Sequence, residues 1–143
     1  MPSGSIVHKQ KVLNSDYDID VNVVSMGNPH AVVFVDNLDT DHIDDFVPLI
    51  QQQFPDGINI EFVHVVSSNH GKVLVWERGV GKTLACGTGA CAAAVVGISE
   101  KKFDSRVTIE QPGGNLVIEW QSSDNRVIKS GPAQHVFSGQ LMI

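Results

Sequence analysis

Residues 84–96 read L-A-C-G-T-G-A-C-A-A-A-V-V, and this stretch carries no charged side chain. Five of the seven alanines in the chain fall within it. A helix that is apolar on every side is typical of a buried position. Alanine side chains are also small enough to let neighbouring strands approach closely. We therefore expect one central buried helix with a sheet curled around it.

The rest of the 143-residue chain favours strands. It contains 21 Val and 11 Ile against 7 Leu, and β-branched side chains suit a pleated sheet better than a helix. Runs of such residues between turn-forming residues predict strands at 21–26, 31–36, 58–66, 72–77, 106–110, 115–120, 126–129 and 134–137. Turns at 112–114 and 122–125 arrange the strands between 106 and 129 as a meander. The predicted fold class is α+β, with a mixed, largely antiparallel sheet.

A second, surface helix is predicted in residues 40–54. Its apolar positions recur at helical spacing, at Ile43, Phe46, Val47 and Ile50. Thr40 is placed to cap its start, and Pro48 is placed to open a second short turn, where the helix can be broken. Residues 1–18 are polar and are expected to be a lead-in or interdomain segment. One domain is expected over residues 19–143.

Composition excludes several classes of partner and chemistry. The net charge is −6 and the ten basic residues are scattered, so the chain has no basic patch for nucleic acid or for an anionic membrane. Two cysteines make no disulfide framework, and no signal peptide opens the chain. We expect a cytoplasmic protein, in which any cysteine chemistry is thiol chemistry.

The strongest chemical signal lies in residues 75–94. A strand ends in Glu77-Arg78, passes through a glycine-rich turn and delivers C-G-T-G at 86–89 to the start of the buried helix. Unpaired N–H groups at a helix N-terminus bind carboxylate or phosphate, and their partial positive charge favours a thiolate. Cys86 is therefore a candidate base or nucleophile facing a bound anion. The alternative is a small core residue, because free cysteines are often buried.

Other features of this region give weaker evidence of chemistry. Cys91 lies about 140° around the helix from Cys86 and is expected in the core. The histidines and cysteines show no spacing typical of metal ligands, so no metal site is predicted. Gly81-Lys82-Thr83 matches the end of a P-loop, but Trp76 stands where that motif needs its first glycine. Nucleotide hydrolysis is therefore disfavoured.

Two further segments carry polar side chains. The turn at residues 26–30 reads M-G-N-P-H and presents the Asn28 amide and the His30 imidazole. Asn before Pro is common in purely structural turns, so both readings stay open here. Asn59 alternates with Ile58 and Ile60 and is expected on the face of its strand opposite the apolar one.

Three motifs together resemble the diaminopimelate epimerases: M-G-N-P-H-A-V at 26–32, I-N-I-E-F-V at 58–63 and E-R-G-V-G-K-T-L-A-C-G-T-G-A-C-A at 77–92. Their order resembles the second half of that family, from about residue 21 onward. The resemblance implies two pseudo-twofold halves, each a sheet around a central helix, with the active site between them. Such enzymes invert the α-carbon of LL-diaminopimelate to the meso form without pyridoxal phosphate or metal, using one cysteine from each half. Their product feeds lysine and, in bacteria, peptidoglycan synthesis.

The resemblance also implies residue roles. Cys86 would be the catalytic thiol of this half, and Gly87 and Thr88 would give backbone N–H groups to the reacting carboxylate. His30 and Glu77 would tune the thiol pKa values. The distal amino-acid end of the substrate would be held by Asn28, Asn59, Glu77 and Arg78. The implied partners are diaminopimelate and the N-terminal half of the same enzyme, with a homodimer left open and no cofactor.

Two departures from the family's pattern matter. Lys82 stands where the family usually has Glu, which reverses a charge near the glycine-rich turn. The first half of the pattern is missing, and inversion needs a base on one face of the α-carbon and an acid on the other. The chain alone is therefore expected to be inactive. The alternatives are another cofactor-independent amino-acid racemase, such as a proline racemase, and a non-catalytic binding domain.

Overall fold

The fold is seen in a computed structural model that describes residues 7–13, 16–38, 42–121, 126–131 and 135–140. Two helices and ten strands lie in these ranges. In chain order they are β1 (Val7–Leu13), β2 (Asp18–Ser25), β3 (Pro29–Phe34), α1 (His42–Gln53), β4 (Asn59–Ser67), β5 (His70–Glu77), β6 (Gly81–Thr83), α2 (Gly87–Ser99), β7 (Arg106–Gln111), β8 (Gly114–Gln121), β9 (Arg126–Ser130) and β10 (His135–Gln140).

The ten described strands form one mixed sheet in the order β1-β2-β3-β4-β5-β7-β8-β9-β10, with β6 paired to β5. Two neighbouring pairs, β3 with β4 and β5 with β7, run parallel. The remaining pairs of described strands are antiparallel. Parallel neighbours need a crossover connection, and each crossover contains one helix, α1 in the first and α2 in the second. The α+β class with a mixed, largely antiparallel sheet is confirmed.

The two helices cover opposite faces of the central strands. On β3, Ala31 and Val33 join the hydrophobic cluster that contains residues of α1, whereas Val32 between them joins the cluster around α2. On β4, Phe62 and Val63 divide between the two clusters in the same way. Because successive side chains of a strand point to opposite faces, both faces of these strands are interior.

Helix α2 is buried from Gly89 to Gly97 and packs against β2, β3, β4, β5, β7 and β8. Its small residues allow this close packing. The ring of Phe103 fits directly over Gly97 and Gly71, where a Cβ atom at either position would overlap the ring.

All eight predicted strands have counterparts in the sheet, with shifted ends, and β7, β8 and β9 are paired in succession as the predicted meander requires. Two strands were not predicted. Strand β1 lies within residues 1–18, where a polar lead-in was expected. It pairs with β2 along its whole length, while most of its side chains stay exposed or half-exposed. The strand therefore forms through backbone pairing, which its polar sequence does not indicate. Strand β6 has only three residues, too few for a pattern.

Helix α1 is one continuous helix that contains Pro48, so a break there is not observed. Proline removes one backbone donor and leaves the carbonyl of Asp44 without its helical partner. Both residues lie on the exposed side of α1, where water can satisfy that carbonyl. The predicted cap at Thr40, the predicted turn at 122–125 and the predicted strand residue Gln134 lie outside the described residues.

Candidate active site

Cys86 is the N-cap residue of α2, with extended backbone angles of φ −147° and ψ 114°. Its Sγ accepts a hydrogen bond from the Gly89 N–H at 3.3 Å, and its carbonyl oxygen accepts one from the Ala90 N–H at 2.9 Å. The thiol thus takes the capping place that Ser or Asp fills in most helices. Thr88 Oγ1 lies 3.6 Å from Sγ. The half-buried sulfur is therefore fixed at the start of the helix by groups of its first turn.

Two backbone N–H groups in the first turn of α2 are available to bind a ligand. Gly89 and Ala90 donate to Cys86, whereas the N–H groups of Gly87 and Thr88 have no acceptor among the residues that the structure describes. Such groups, with the partial positive charge of the helix start, form a site for a carboxylate. A sulfur that can accept a proton lies directly beside this site.

The end of β7 and the turn that follows it form hydrogen bonds with the backbone around Cys86. The buried Gln111 accepts from the Cys86 N–H through Oε1 at 3.4 Å and donates from Nε2 to the Cys86 carbonyl at 3.0 Å. The Gly113 N–H donates to the Leu84 carbonyl at 2.7 Å. These three bonds fix the segment that presents the thiol.

A buried ammonium faces the same turn of α2. Lys129 on β9 is 9% exposed, and its Nζ lies so close to Gly87 that a Cβ atom there would overlap it. Its charge adds to that of the helix start and favours an anion. Lys129 also lowers the pKa of Cys91, but burial outweighs it and raises that pKa to about 11. Cys91 lies in the core, as predicted, and is almost entirely thiol at neutral pH.

His30 and Glu61 form a fully buried pair beneath α2, each 0% exposed. His30 Nδ1 lies 3.0 and 2.9 Å from the two carboxyl oxygens of Glu61, and Nε2 lies 3.1 Å from Asn28 Oδ1. Burial lowers the pKa of His30 to about 4, and the charge of Glu77 opposes that shift. Burial raises the pKa of Glu61 well above its usual range, and Glu77 raises it further. Both shifts favour the uncharged forms of the two partners.

Asn59 ties two polar loops together. Its Nδ2 donates to the Pro29 carbonyl at 3.1 Å, and its Oδ1 accepts from the Arg78 N–H at 2.8 Å. The side chain points away from Ile58 and Ile60, as expected, and it is buried there because α2 covers that side of β4. After these bonds Asn59 keeps one N–H and one lone pair for a ligand.

Glu77 and Arg78 lie at the end of β5, where the chain turns into β6. The stem of Arg78 passes directly over Gly57, where a Cβ atom would overlap it. The φ of +91° at Gly57 also favours glycine. Lys82 holds its ammonium 5.4 Å from the centre of the Trp76 ring, so the reversed charge is engaged in a cation–π contact.

The P-loop alternative fails on geometry as well as on sequence. Gly81-Lys82-Thr83 forms the short strand β6, and α2 begins only at Gly87. A phosphate-binding helix would have to begin at Lys82 and Thr83.

Three residues near this site were missed from the sequence: Glu61, Gln111 and Lys129. Glu61 gave a usable signal, because a carboxylate within the apolar run I-N-I-E-F-V is expensive to bury without a partner. Gln111 follows Val107 and Ile109 in the two-residue period of β7, and Lys129 follows Val127 in that of β9, so the alternation places both on the buried face. Their polar character hid this signal, because Gln and Lys are mostly exposed in proteins.

Two further findings concern the described residues alone. No three His, Cys, Asp or Glu side chains within them group closely enough to hold a metal ion. Neither of their two helices is long and apolar enough to span a bilayer.

Comparison with known proteins identifies the family. The sequence model described as diaminopimelate epimerase matches residues 22–136 and so includes all three motifs and the Cys86 turn. The chain belongs to the diaminopimelate epimerase family. The polar groups gathered around α2 are therefore those of an epimerase family member, and the sequence resemblance is confirmed.

Individual diaminopimelate epimerases agree with this. The protein of Synechocystis sp. is 51% identical over 125 residues, covering 86% of this chain and 45% of that protein. The Pseudomonas syringae pv. syringae protein is 46% identical over 127 residues, covering 87% and 46%. The Microcystis aeruginosa protein is 43% identical over 146 residues, covering 97% and 52%. The chain thus spans about half the length of the curated relatives it matches.

Solved structures show the same fold at low sequence identity. A phenazine biosynthesis protein of the PhzF family from Enterococcus faecalis matches with a TM-score of 0.55 and 10% identity, over 85% of this chain and 41% of that one. The PhzF family protein of Bacillus anthracis matches with a TM-score of 0.54 and 17% identity, over 86% and 38%. At these identities the likeness concerns the fold alone.

Proposed function

We propose that this chain supplies the second half of an isomerase that interconverts LL- and meso-diaminopimelate without pyridoxal phosphate or metal. The observation that carries the proposal is the thiol of Cys86, fixed at the start of α2 beside the open N–H groups of Gly87 and Thr88. In this proposal residues 19–143 are the C-terminal domain, with its sheet curled around α2, and β1 from residues 1–18 adds a strand. The N-terminal half of the enzyme provides the other wall of the cleft.

The reacting carboxylate binds at the first turn of α2. The N–H groups of Gly87 and Thr88 donate to it, and the ammonium of Lys129 adds a charge that suits an anion. These groups also stabilise the extra negative charge that develops when the α-carbon loses its proton. Cys86 lies on the same turn, so its sulfur is within reach of the α-carbon of a carboxylate bound there.

The distal amino-acid end binds at the loops that Asn59 joins. The Arg78 guanidinium suits a carboxylate and the Glu77 carboxylate suits an ammonium. Asn28 and Asn59 complete this end. A substrate with only one amino-acid end would give Glu77, Arg78 and Asn59 no distal group to bind, which favours diaminopimelate over a simple amino acid.

The reaction needs two thiols on opposite faces of the α-carbon. One sulfur, as thiolate, removes the α-proton, and the electron pair of the C–H bond moves into the carboxylate-stabilised carbanion. The other thiol donates its proton to the opposite face, which inverts the centre and leaves a thiolate behind. The reverse reaction exchanges the two roles. Because Cys91 is buried in the core, this chain provides only Cys86.

Substitution of Cys86 in a two-half protein that carries this chain as its second half tests the proposal. In Cys86→Ser a hydroxyl replaces the thiol and is far too weak an acid to serve as the base, so LL-to-meso turnover should collapse while substrate binding largely survives. The matched control is Cys91→Ala, which should lose stability through a small cavity but keep its activity. Near-normal turnover by Cys86→Ser would contradict the assignment.

Two alternatives have their own tests. Turnover of proline but not of LL-diaminopimelate by the two-half protein would favour another racemase of the same scaffold. Equal inertness of both cysteines toward iodoacetamide at neutral pH would favour a non-catalytic binding domain. A cytoplasmic location, a role in lysine biosynthesis and a homodimer belong to the proposal as accompanying expectations.

A further inference from the structure

The reaction proposed above leaves the buried carboxyl group of Glu61 without a role. Glu61 lies on β4 and pairs with His30 on β3 across the parallel strand pair, in which Val32 is the backbone partner of Glu61. Both side chains point to the face covered by α2. A carboxyl group that is 0% exposed needs hydrogen-bond partners that offset the cost of its burial.

The geometry of the pair and its burial together indicate which atoms carry protons. Asn28 offers its Oδ1 to His30 Nε2 at 3.1 Å, and a carbonyl oxygen can only accept, so Nε2 carries a hydrogen. Burial lowers the pKa of His30 and so favours the neutral imidazole, which has only one N–H; Nδ1 is then an acceptor. Glu61 faces Nδ1 at 2.9 Å and must be the donor. Only a protonated carboxyl group can donate, and the raised pKa of Glu61 agrees with that state.

The same carboxyl group lies close to the catalytic turn. A Cβ atom placed on Gly89 would be 3.2 Å from Glu61 Oε2 and 3.3 Å from Cys86 Sγ. An ionised Glu61 would therefore put a second negative charge near a Cys86 thiolate, and the two like charges would repel each other. A neutral Glu61 avoids that repulsion. The other charged group that acts on the pair is Glu77, and its carboxylate also disfavours ionisation of Glu61.

We propose that Glu61 is a positioning residue that works as a neutral carboxylic acid. It donates to His30 Nδ1, which holds the imidazole as the Nε2–H tautomer, and that N–H holds the Oδ1 of Asn28. The Asn28 amide then presents its Nδ2 group, two N–H donors, to an acceptor on the substrate. Glu61 itself touches neither the substrate nor the sulfur in this role. The identity of the ligand rests on the proposed function, whereas the proton arrangement does not.

Nitrogen-15 NMR of histidine side chains in the 143-residue chain tests the proton arrangement directly. His30 should show a protonated Nε2 and an unprotonated Nδ1, unchanged from pH 6 to pH 8. Glu61→Gln should keep that tautomer, because an amide N–H replaces the acid O–H as donor to Nδ1. Glu110→Gln is the matched control, since Glu110 pairs with His70 at the surface, with Nε2 and Oε1 3.1 Å apart. Protonation of Nδ1 in the unmodified chain would overturn the proposal.

Activity of the two-half protein gives the second readout. Glu61→Gln should keep KM for LL-diaminopimelate within about threefold, whereas Glu61→Leu, which removes the donor, should raise KM by roughly tenfold with a smaller change in kcat. Equal damage by both substitutions would mean that a carboxylate charge is required and would overturn the proposal. If the unmodified two-half protein fails to epimerise, the proposed function fails, and the NMR result alone decides the role of Glu61.

Discussion

The buried Glu61 makes stability depend on pH in a way that one substitution can isolate. The unfolded chain ionises Glu61 near its ordinary pKa of 4.5, whereas burial keeps it protonated in the folded chain to much higher pH. A group whose folded pKa is raised stabilises the fold fully below pH 4.5 and loses that contribution as pH rises toward the folded pKa. One proton bound only in the folded state changes the free energy of unfolding by about 1.4 kcal/mol per pH unit.

Glu61→Gln removes this titration and retains a donor to His30. The stability of the unmodified chain should therefore fall relative to that of Glu61→Gln as pH rises from 5 to 7, with a slope of at most about 1.4 kcal/mol per pH unit. His30 contributes with the opposite sign, because its pKa falls from 6.5 to about 4 on folding, so its contribution is lost as pH falls through that interval. For the unmodified chain the two effects oppose each other between about pH 4.5 and 6.5. In Glu61→Gln only the His30 contribution remains, so its stability falls as pH falls from 6.5 toward 4.

Urea denaturation followed by tryptophan fluorescence at pH 5, 6, 7 and 8 measures these free energies. Subtracting Glu61→Gln from the unmodified chain cancels every other titrating group that both share, and Glu110→Gln serves as the surface control. A difference that stays constant from pH 5 to pH 8 would show that Glu61 is ionised in the folded chain and would refute the reasoning.

Three further outcomes are expected. Gln111→Leu should cost about 1–3 kcal/mol in urea denaturation, because it leaves the Cys86 N–H without its buried partner; a loss under about 0.5 kcal/mol would mean that water replaces the amide. Iodoacetamide at pH 7 should label Cys86 well before Cys91, as peptide mass mapping would show, and labelling in the reverse order would contradict the burial of Cys91. Gly97→Ala should cost about 1–3 kcal/mol through overlap with the Phe103 ring, and unchanged stability would mean that the ring moves freely.

Local patterns in the sequence explain why much of the sheet was predictable. The strands between 106 and 130 alternate apolar and polar residues and are separated by turn residues, so their existence and their antiparallel order follow from neighbouring positions. The apolar run from 90 to 96 likewise indicates a buried helix without any knowledge of its surroundings. Strand β1 gave no such pattern, because its stability comes from backbone pairing with β2.

The candidate site was predictable only in part. Cys86 and its turn were found because helix start, glycines and thiol are adjacent in sequence. The partners of these groups lie far away along the chain: Gln111 is 25 residues from Cys86, and Glu61 is 31 residues from His30. The apolar run around Glu61 hints at burial, but the partner that Glu61 needs is known only once β3 and α2 are placed beside β4. Such contacts depend on the crossover connections, which local periodicity does not specify.

The most direct test of the central claim, that this chain provides one thiol of a two-thiol reaction, is the conversion of LL-diaminopimelate by the purified 143-residue chain. The reaction is run in D₂O and the α-proton and the meso product are followed by NMR. The account predicts no LL-to-meso turnover, with at most slow α-proton exchange that Cys86→Ser abolishes and Cys91→Ala does not. Sustained LL-to-meso turnover by this chain alone would contradict it.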